Sequence, residues 1–234
     1  MTSVLEVRDI HTFIGQFHIL EGVSVDVPDG SITALLGRNG AGKTTTLRSI
    51  LGLAPPSRGT IFLGGEEIQG RAAHDIASRG IGYVPEHRAI FRDLSVEENL
   101  RIAERKKGDL AQRADFIFGI FPDLKRLIKL PGGNLSGGQQ QMLAIARALV
   151  PENRLLLIDE PSEGLAPVII EQVMEAVRQL STHATVLLVE QNFIMASQLA
   201  DRYTIIEAGK SVKSGMMAEL REDDETIRRY LGAA

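Results

Sequence analysis

Three short stretches of this chain carry residues whose types and spacing suit work on a phosphate chain. The first is "GRNGAGKTTT" (37–46), directly after the apolar run "ITALL". Gly37, Arg38, Asn39, Gly40, Ala41, Gly42, Lys43, Thr44 and Thr45 follow a G-x4-G-K-[ST] phosphate-binding pattern. Glycine lets the backbone curl until successive N–H groups face one anion, and a helix starting at the lysine adds its N-terminal field. Lys43 is expected to reach the β- and γ-phosphates of a nucleotide, and the Thr44 hydroxyl to ligate Mg²⁺. The second stretch, "RLLLIDEP", closes an apolar run on Asp159 and Glu160. Parallel sheets present their ligand sites at the carboxyl ends of strands. Magnesium binds few carboxylates and keeps its waters, so Asp159 is the expected carboxylate for it. Glu160 is expected to orient and deprotonate an attacking water. The third stretch is "NLSGGQQQMLAIARALV" (134–150), where Ser136 is a good N-cap and Gly137–Gly138 leave the backbone bare as a helix begins. One chain therefore carries two phosphate-binding helix starts, roughly ninety residues apart.

The elements that must position these groups can be read from periodicity. "VLEVRDI" and "GVSVDV" alternate in period two, as half-buried antiparallel strands do, and "GTIFLGGEEI" (59–68) repeats the theme around a Gly-Gly turn. "ITALLG" (32–37), "RLLLIDE" (154–160) and "ATVLLVEQ" (184–191) are continuous apolar runs, the pattern of parallel strands buried on both faces. Helical patterns such as "KTTTLRSILGL" and "PVIIEQVMEAVRQL" lie between them, which predicts a doubly wound α/β sheet. Residues 87–150 break the alternation: "SVEENLRIAERK" opens on a Ser95–Glu98 capping box and helical period continues, predicting a helical insertion. A hairpin turning at Ala208–Gly209 and a terminal helix with acids at its start close the chain.

Composition narrows the function classes. A 44% hydrophobic content is ordinary for a globular chain, and 30 acids against 26 bases leave a formal charge of −4, which argues against a general nucleic-acid binder. Absence of cysteine excludes disulfides and thiolate metal sites. "MTSVLEVRDI" has no basic start followed by an apolar stretch, so no secretory signal is expected. No apolar run approaches the ~20 residues of a membrane span, so a membrane role is expected to come through a partner.

The loop, "LSGGQ" and "LLLIDEP", in this order and spacing, resemble the ATP-binding subunits of ABC transporters, and the likeness runs from about residue 4 to the end. The resemblance implies an α/β fold of the P-loop NTPase class with a mixed sheet, an N-terminal antiparallel β subdomain and a helical subdomain. It implies one domain over 1–234, with 1–86 and 151–234 as the nucleotide-binding core and 87–150 as the helical part. It further implies two subunits paired head to tail, with ATP and Mg²⁺ between them. Ser136, Gly137, Gly138 and Gln139 of one subunit would cap the γ-phosphate held by the other, closing the pair, and hydrolysis would let it open and drive a membrane gate.

Several positions depart from that pattern. Glu86, in "IGYVPEHRAIF", stands where glutamine is usual and is expected to face Mg²⁺ or the water. Gln191, in "VLLVEQNF", stands where most relatives have histidine; it can donate an N–H to the γ-phosphate but carries no imidazolium charge. In "PSEGLAP", Glu163 and Ala166 replace a serine and an aspartate. The family stacks adenine on an aromatic where this chain has Ile14, leaving Phe13 or Phe17 for that role, with Phe13 as the candidate; stacking tolerates any base, so guanine stays open. "VPE", "PSEGLAP" and "VEQN" together resemble the LivF-type subunits of branched-chain amino acid importers, to which urea and short-chain amide importer ATPases are closely similar. The implied partners are integral-membrane permeases, a companion LivG-type ATPase or a second copy of this chain, and, indirectly, an extracytoplasmic solute-binding protein, with no nucleic acid. The implied location is peripheral, on the cytoplasmic face of the cell (inner) membrane. Two readings compete: a soluble ABC ATPase, which usually has fused cassettes or a coiled-coil insertion absent here, and a regulatory subunit without turnover, against which Glu160 argues.

Overall fold

The computed structural model describes residues 2–232. Its alternating N-terminal sequence forms two long strands, β1 (Ser3–Ile14) and β2 (Phe17–Pro28), which pair antiparallel from Ser3↔Pro28 to Ile14↔Phe17. They outrun the two short runs read from sequence because the pairing continues to the turn at Gly15. Next come β3 (Ile32–Leu36), α1 (Lys43–Ile50), β4 (Arg58–Leu63), β5 (Glu66–Glu67), α2 (Ala73–Ser78) and β6 (Ile81–Val84). The middle of the chain is helical: α3 (Val96–Arg101), α4 (Asp109–Ile120), α5 (Pro122–Arg126) and α6 (Gly137–Leu149). Then β7 (Leu155–Asp159), α7 (Pro167–Ser181), β8 (Thr185–Glu190), α8 (Phe193–Leu199), β9 (Arg202–Glu207) and β10 (Lys210–Met216) complete the sheets, and α9 (Met217–Arg221) and α10 (Asp224–Thr226) follow, continued by a π-helical turn over Ile227–Leu231.

The strands form a four-stranded antiparallel sheet, β2-β1-β4-β5, and a six-stranded sheet, β10-β9-β3-β8-β7-β6. In the second, β9, β3, β8, β7 and β6 run parallel, and only β10 is antiparallel. The two sides of its pleat belong to different cores. Ala34, Leu36, Leu156, Ile158, Val186 and Leu188 join the cluster built by α6, α7 and α8. Leu35, Leu155, Leu157, Leu187 and Val189 join the cluster that includes Val7, Val23, Val25 and Ile61 of the antiparallel sheet and Leu47 and Ile50 of α1. Helices lie on both faces, as the doubly wound reading expects, and the second sheet is an addition to it. Helices cover one face, whereas the other is covered by α1 together with a second sheet, whose alternating strands have a dry side to bury.

The helical segment does not own a separate core. Val96, Leu100, Ile117 and Leu124 pack in the same cluster as Leu156 and Ile158. Fully burying side chains of this size contributes ~1.5–3 kcal/mol each, so α6, with Leu143, Ile145 and Leu149 inward, ties the helical part firmly to the sheet. At Ser95 the capping box forms as read: the Glu98 amide donates to Ser95 Oγ at 3.2 Å and Glu98 Oε2 accepts from the Ser95 amide at 2.7 Å. The strand β6 and the helices α2 and α8 escape period counting because four to seven residues give too little pattern.

Candidate active site

The phosphate loop is the turn from β3 into α1. Leu36 ends a strand buried along its whole length, and the chain must turn at once beneath β9: a Cβ on Gly37 would lie 2.3 Å from the Ile206 carbonyl oxygen. Gly42 has φ +110° and packs against the Leu20 side chain, so a bulkier residue is excluded there as well. The helix then starts at Lys43 with no side-chain cap, leaving its first amides directed outward. Arg38 O accepts the Ala41 amide at 3.1 Å, and Gly209 N donates to Ala41 O at 2.9 Å, which pins the loop to the β9–β10 turn.

Lys43 is buried. Its Nζ donates to Gly37 O at 2.9 Å and Arg38 O at 3.2 Å, and pairs with Glu160 Oε1 at 3.0 Å. Asp159 has no exposed surface; its Oδ1 accepts from Thr44 Oγ1 at 3.3 Å and its Oδ2 from Tyr83 OH at 3.4 Å. Burial pushes the Asp159 carboxyl up to about 6, with Glu160 and Glu86 adding to the rise while Thr44 and Tyr83 oppose it. Burial, with the Asp159 charge beside it, also raises the Tyr83 phenol. Glu160 itself sits at φ +43°, a left-handed conformation unusual for a side-chain-bearing residue, and its amide donates to Val189 O at 2.9 Å. The strained turn brings the Glu160 carboxylate back over the loop.

Asn39, Gly40, Gly42, Lys43, Thr44, Thr45, Glu86, Glu160 and Glu163 surround one cleft of about 410 Å³, with Ile19 its only apolar side. A hydrogen bond shared with Glu86 raises the Glu163 carboxyl. No cluster of three or more acidic, histidine or cysteine side chains fit to hold a metal occurs among the described residues. A hydroxyl and one buried carboxylate, Thr44 and Asp159, nevertheless fit Mg²⁺, a hard ion that takes few protein oxygens and completes its shell with water and phosphate.

Three expected participants lie elsewhere. Phe13 does not reach the cleft: strand alternation turns it away from Thr12, which bonds Ser49 of α1 at 2.9 Å, and its ring stacks on His18 at 4.2 Å between centroids. Gln191 is exposed and follows Glu190, which pairs with Leu36, so it stands beside the start of the loop but does not line the cleft. Ser136, Gly137, Gly138 and Gln139 form the tip of α6, also outside the cleft. There Gln139 completes a capping box, its Oε1 accepting the Ser136 amide at 2.9 Å. Gly138 seats Ile169 of α7, whose Cγ2 would lie 2.7 Å from a Cβ at that position.

Three residues that sequence reading did not single out complete the geometry. Tyr83 reaches Asp159 from β6. The buried Glu190 carboxylate accepts from Ser162 N, Ser162 Oγ and Asn192 N, each at 3.1 Å, and so joins the turn after Glu160 to the turn bearing Gln191. Arg88 lies over the α6 tip and bonds Gln141 at 3.3 Å. An acid inside the apolar run of β8 was the visible signal for Glu190; nothing in spacing marked the other two.

The chain is similar to known proteins in sequence and in fold. The sequence model of the ABC transporter family matches residues 20–163. The chain is 41% identical to the high-affinity branched-chain amino acid transport ATP-binding protein BraG of Pseudomonas aeruginosa, over 98% of this chain and 100% of that one. It is 38% identical to the probable branched-chain amino acid transport ATP-binding protein LivF of Archaeoglobus fulgidus, over 93% of this chain and 94% of that one. A solved ATP-binding subunit of an ABC transporter superposes with a TM-score of 0.81 at 29% identity, over 98% of this chain and 97% of that one. No helix among the described residues is long and apolar enough to cross a membrane. The chain belongs to the ABC transporter family, as one of its ATP-binding, ATP-hydrolysing subunits.

Proposed function

We propose that this chain powers an importer of branched-chain or other hydrophobic amino acids, as a peripheral subunit on the cytoplasmic face of the cell membrane. The near full-length likeness to BraG and LivF supports that substrate class. The observation that carries the mechanism is the separation of two half-sites. Lys43, Thr44, Asp159 and Glu160 converge on one cleft, while the capped glycine tip of α6 lies outside it. Each half is incomplete alone, so a triphosphate is sandwiched between the cleft of one cassette and the Ser136–Gln139 tip of another. The second cassette is a companion LivG-type subunit or a second copy, and both dock on integral-membrane permeases served by an extracytoplasmic binding protein.

In this reading the backbone amides of residues 37–45 and the Lys43 ammonium hold the β- and γ-phosphates. Thr44 and Asp159, with Glu86 at the rim, would hold Mg²⁺, which would neutralise phosphate charge. Glu160 leaves its ion pair with Lys43 and takes the proton of the attacking water. Gln191 donates to the γ-phosphate. Residues 1–86 and 151–234 bind nucleotide, and 87–150 carry the second half-site and the permease contact. Steady-state phosphate release by the purified chain, alone and with its partners, tests the assignment. Glu160→Gln is expected to lower turnover by about 10²-fold or more, in the range general-base loss gives, while ATP affinity holds. Turnover surviving Glu160→Gln removes Glu160 from the role.

A further inference from the structure

A second cleft, of about 740 Å³, lies at the opposite edge of the parallel sheet, where β6 and β7 begin. Arg79, Arg105, Lys106, Lys107, Arg113 and Arg154 line it, against the carboxylates of Asp109 and Glu152. The chain as a whole is acidic, with a formal charge of −4, so this local excess is set against the overall balance. Arg79 is paired with Glu66. Arg105, Lys106, Lys107, Arg113 and Arg154 have no ion-pair partner among the described residues. Asp109 instead accepts the backbone amides of Arg105 and Lys106, at 3.0 and 2.9 Å.

A run of exposed lysines alone would be an ordinary solvated surface. Here Arg105 is held in place and Arg79 and Arg113 are half-buried, Arg113 lying over the Phe116 ring at 4.6 Å, while Arg154 is exposed. Arg105 is fixed on neutral acceptors, Ile81 O and Asn153 Oδ1 at 2.8 Å each and Glu152 O at 3.4 Å, which orient its charge without cancelling it. The Nε groups of Arg79 and Arg113 are buried with no acceptor. Like charges gathered and partly desolvated around one hollow are unfavourable unless an anion completes them. The planar guanidinium fork matches phosphate oxygens in pairs, and a cleft this size has room for more than one phosphate.

We propose that this cleft binds an anion bearing at least two phosphate groups, distinct from the nucleotide held by Lys43. Such phosphate comes from a soluble polyphosphate ester or from clustered phospholipid headgroups, and the test separates the two. Wild-type protein and the Lys106→Glu/Arg113→Glu double variant are titrated with inorganic tripolyphosphate by calorimetry, with Mg-ADP saturating the first site. Both are also sedimented with phosphatidylglycerol and with phosphatidylcholine vesicles, and polyglutamate serves as a carboxylate polyanion. The expected result is that wild type binds tripolyphosphate or phosphatidylglycerol vesicles, that the double variant binds at least about tenfold more weakly, and that its ATPase rate is unchanged. Tripolyphosphate binding assigns a soluble ligand; binding to phosphatidylglycerol vesicles alone assigns lipid. Should the double variant not fold, Lys106→Gln/Lys107→Gln, on exposed side chains, is measured against the same probes. Failure of both phosphate probes, equal binding by the variant, or equal binding of polyglutamate overturns the proposal. Because ATPase activity is read separately, that outcome leaves the nucleotide site untouched.

Discussion

Replacing Asp159 by asparagine is expected to make the nucleotide-free protein more stable while destroying its activity. The carboxyl has no exposed surface and is pushed up from 3.8 to about 6, because burial and the charges of Glu160 and Glu86 outweigh the hydrogen bonds from Thr44 and Tyr83. Held that far above the ordinary carboxylate value, the charged form is disfavoured by about 3 kcal/mol in the folded state at neutral pH. Asparagine removes that charge at nearly constant volume. It weakens two hydrogen bonds that are already long, at 3.3 and 3.4 Å, a loss of about 1 kcal/mol. The net gain is about 1–2 kcal/mol, or about 3–6 °C in Tm for a domain of this size. The sign follows from linkage. A carboxyl whose folded pKa is raised favours the folded state below 3.8, and that contribution is lost as pH rises through about 6. The advantage of Asp159→Asn is therefore full near about pH 7.5 and small near about pH 4.5. Calorimetric melts with EDTA and without nucleotide, run on both proteins at the two pH values, measure it. A variant that melts below wild type at the higher pH, or an offset equal at both, refutes the reasoning.

Two further substitutions test the scaffold. Gly37→Ala drives a Cβ to within 2.3 Å of the Ile206 carbonyl, and is expected to cost about 1–3 kcal/mol of stability together with ATP binding; denaturant midpoints and nucleotide titration read both, and a stable, ATP-binding Ala variant contradicts the close approach. Glu190→Ala leaves the Ser162 and Asn192 amides without their acceptor, and is expected to lower kcat more than it changes KM, since the turns it joins carry Glu160 and Gln191 while the phosphate-holding amides belong to residues 37–45; a change confined to KM argues otherwise.

Much of this arrangement was readable beforehand, for physical reasons. Strands such as Ile32–Leu36 and Leu155–Asp159 are buried on both faces, so their side chains leave little room for another pattern. Gly37 and Gly42 announce a backbone with no space beside it, as Gly37 beneath Ile206 demonstrates. What escaped reading depends on contacts far apart in sequence. The covering of one sheet face by β1, β2 and β4 cannot be told from helices by local period, because the buried strands look the same under either. Tyr83 meets Asp159 across 76 residues, and Glu190 meets Ser162 across 28. The stacking of Phe13 on His18, beside a bulge near Thr12–Phe13, likewise depends on the partner strand and is not visible in the spacing of one strand.

The proposed pocket is shared between two chains, and the absence of cysteine allows a direct test. Ser136→Cys supplies a unique thiol at the α6 tip, and an ATP analogue with a thiol-reactive γ-substituent reports whether that tip meets the triphosphate. A Lys43→Ala/Ser136→Cys chain is predicted to be labelled only when cysteine-free chains with intact loops, or the companion cassette, are added. Labelling of an intact-loop Ser136→Cys chain at a rate independent of protein concentration would place both halves in one protomer and contradict the account.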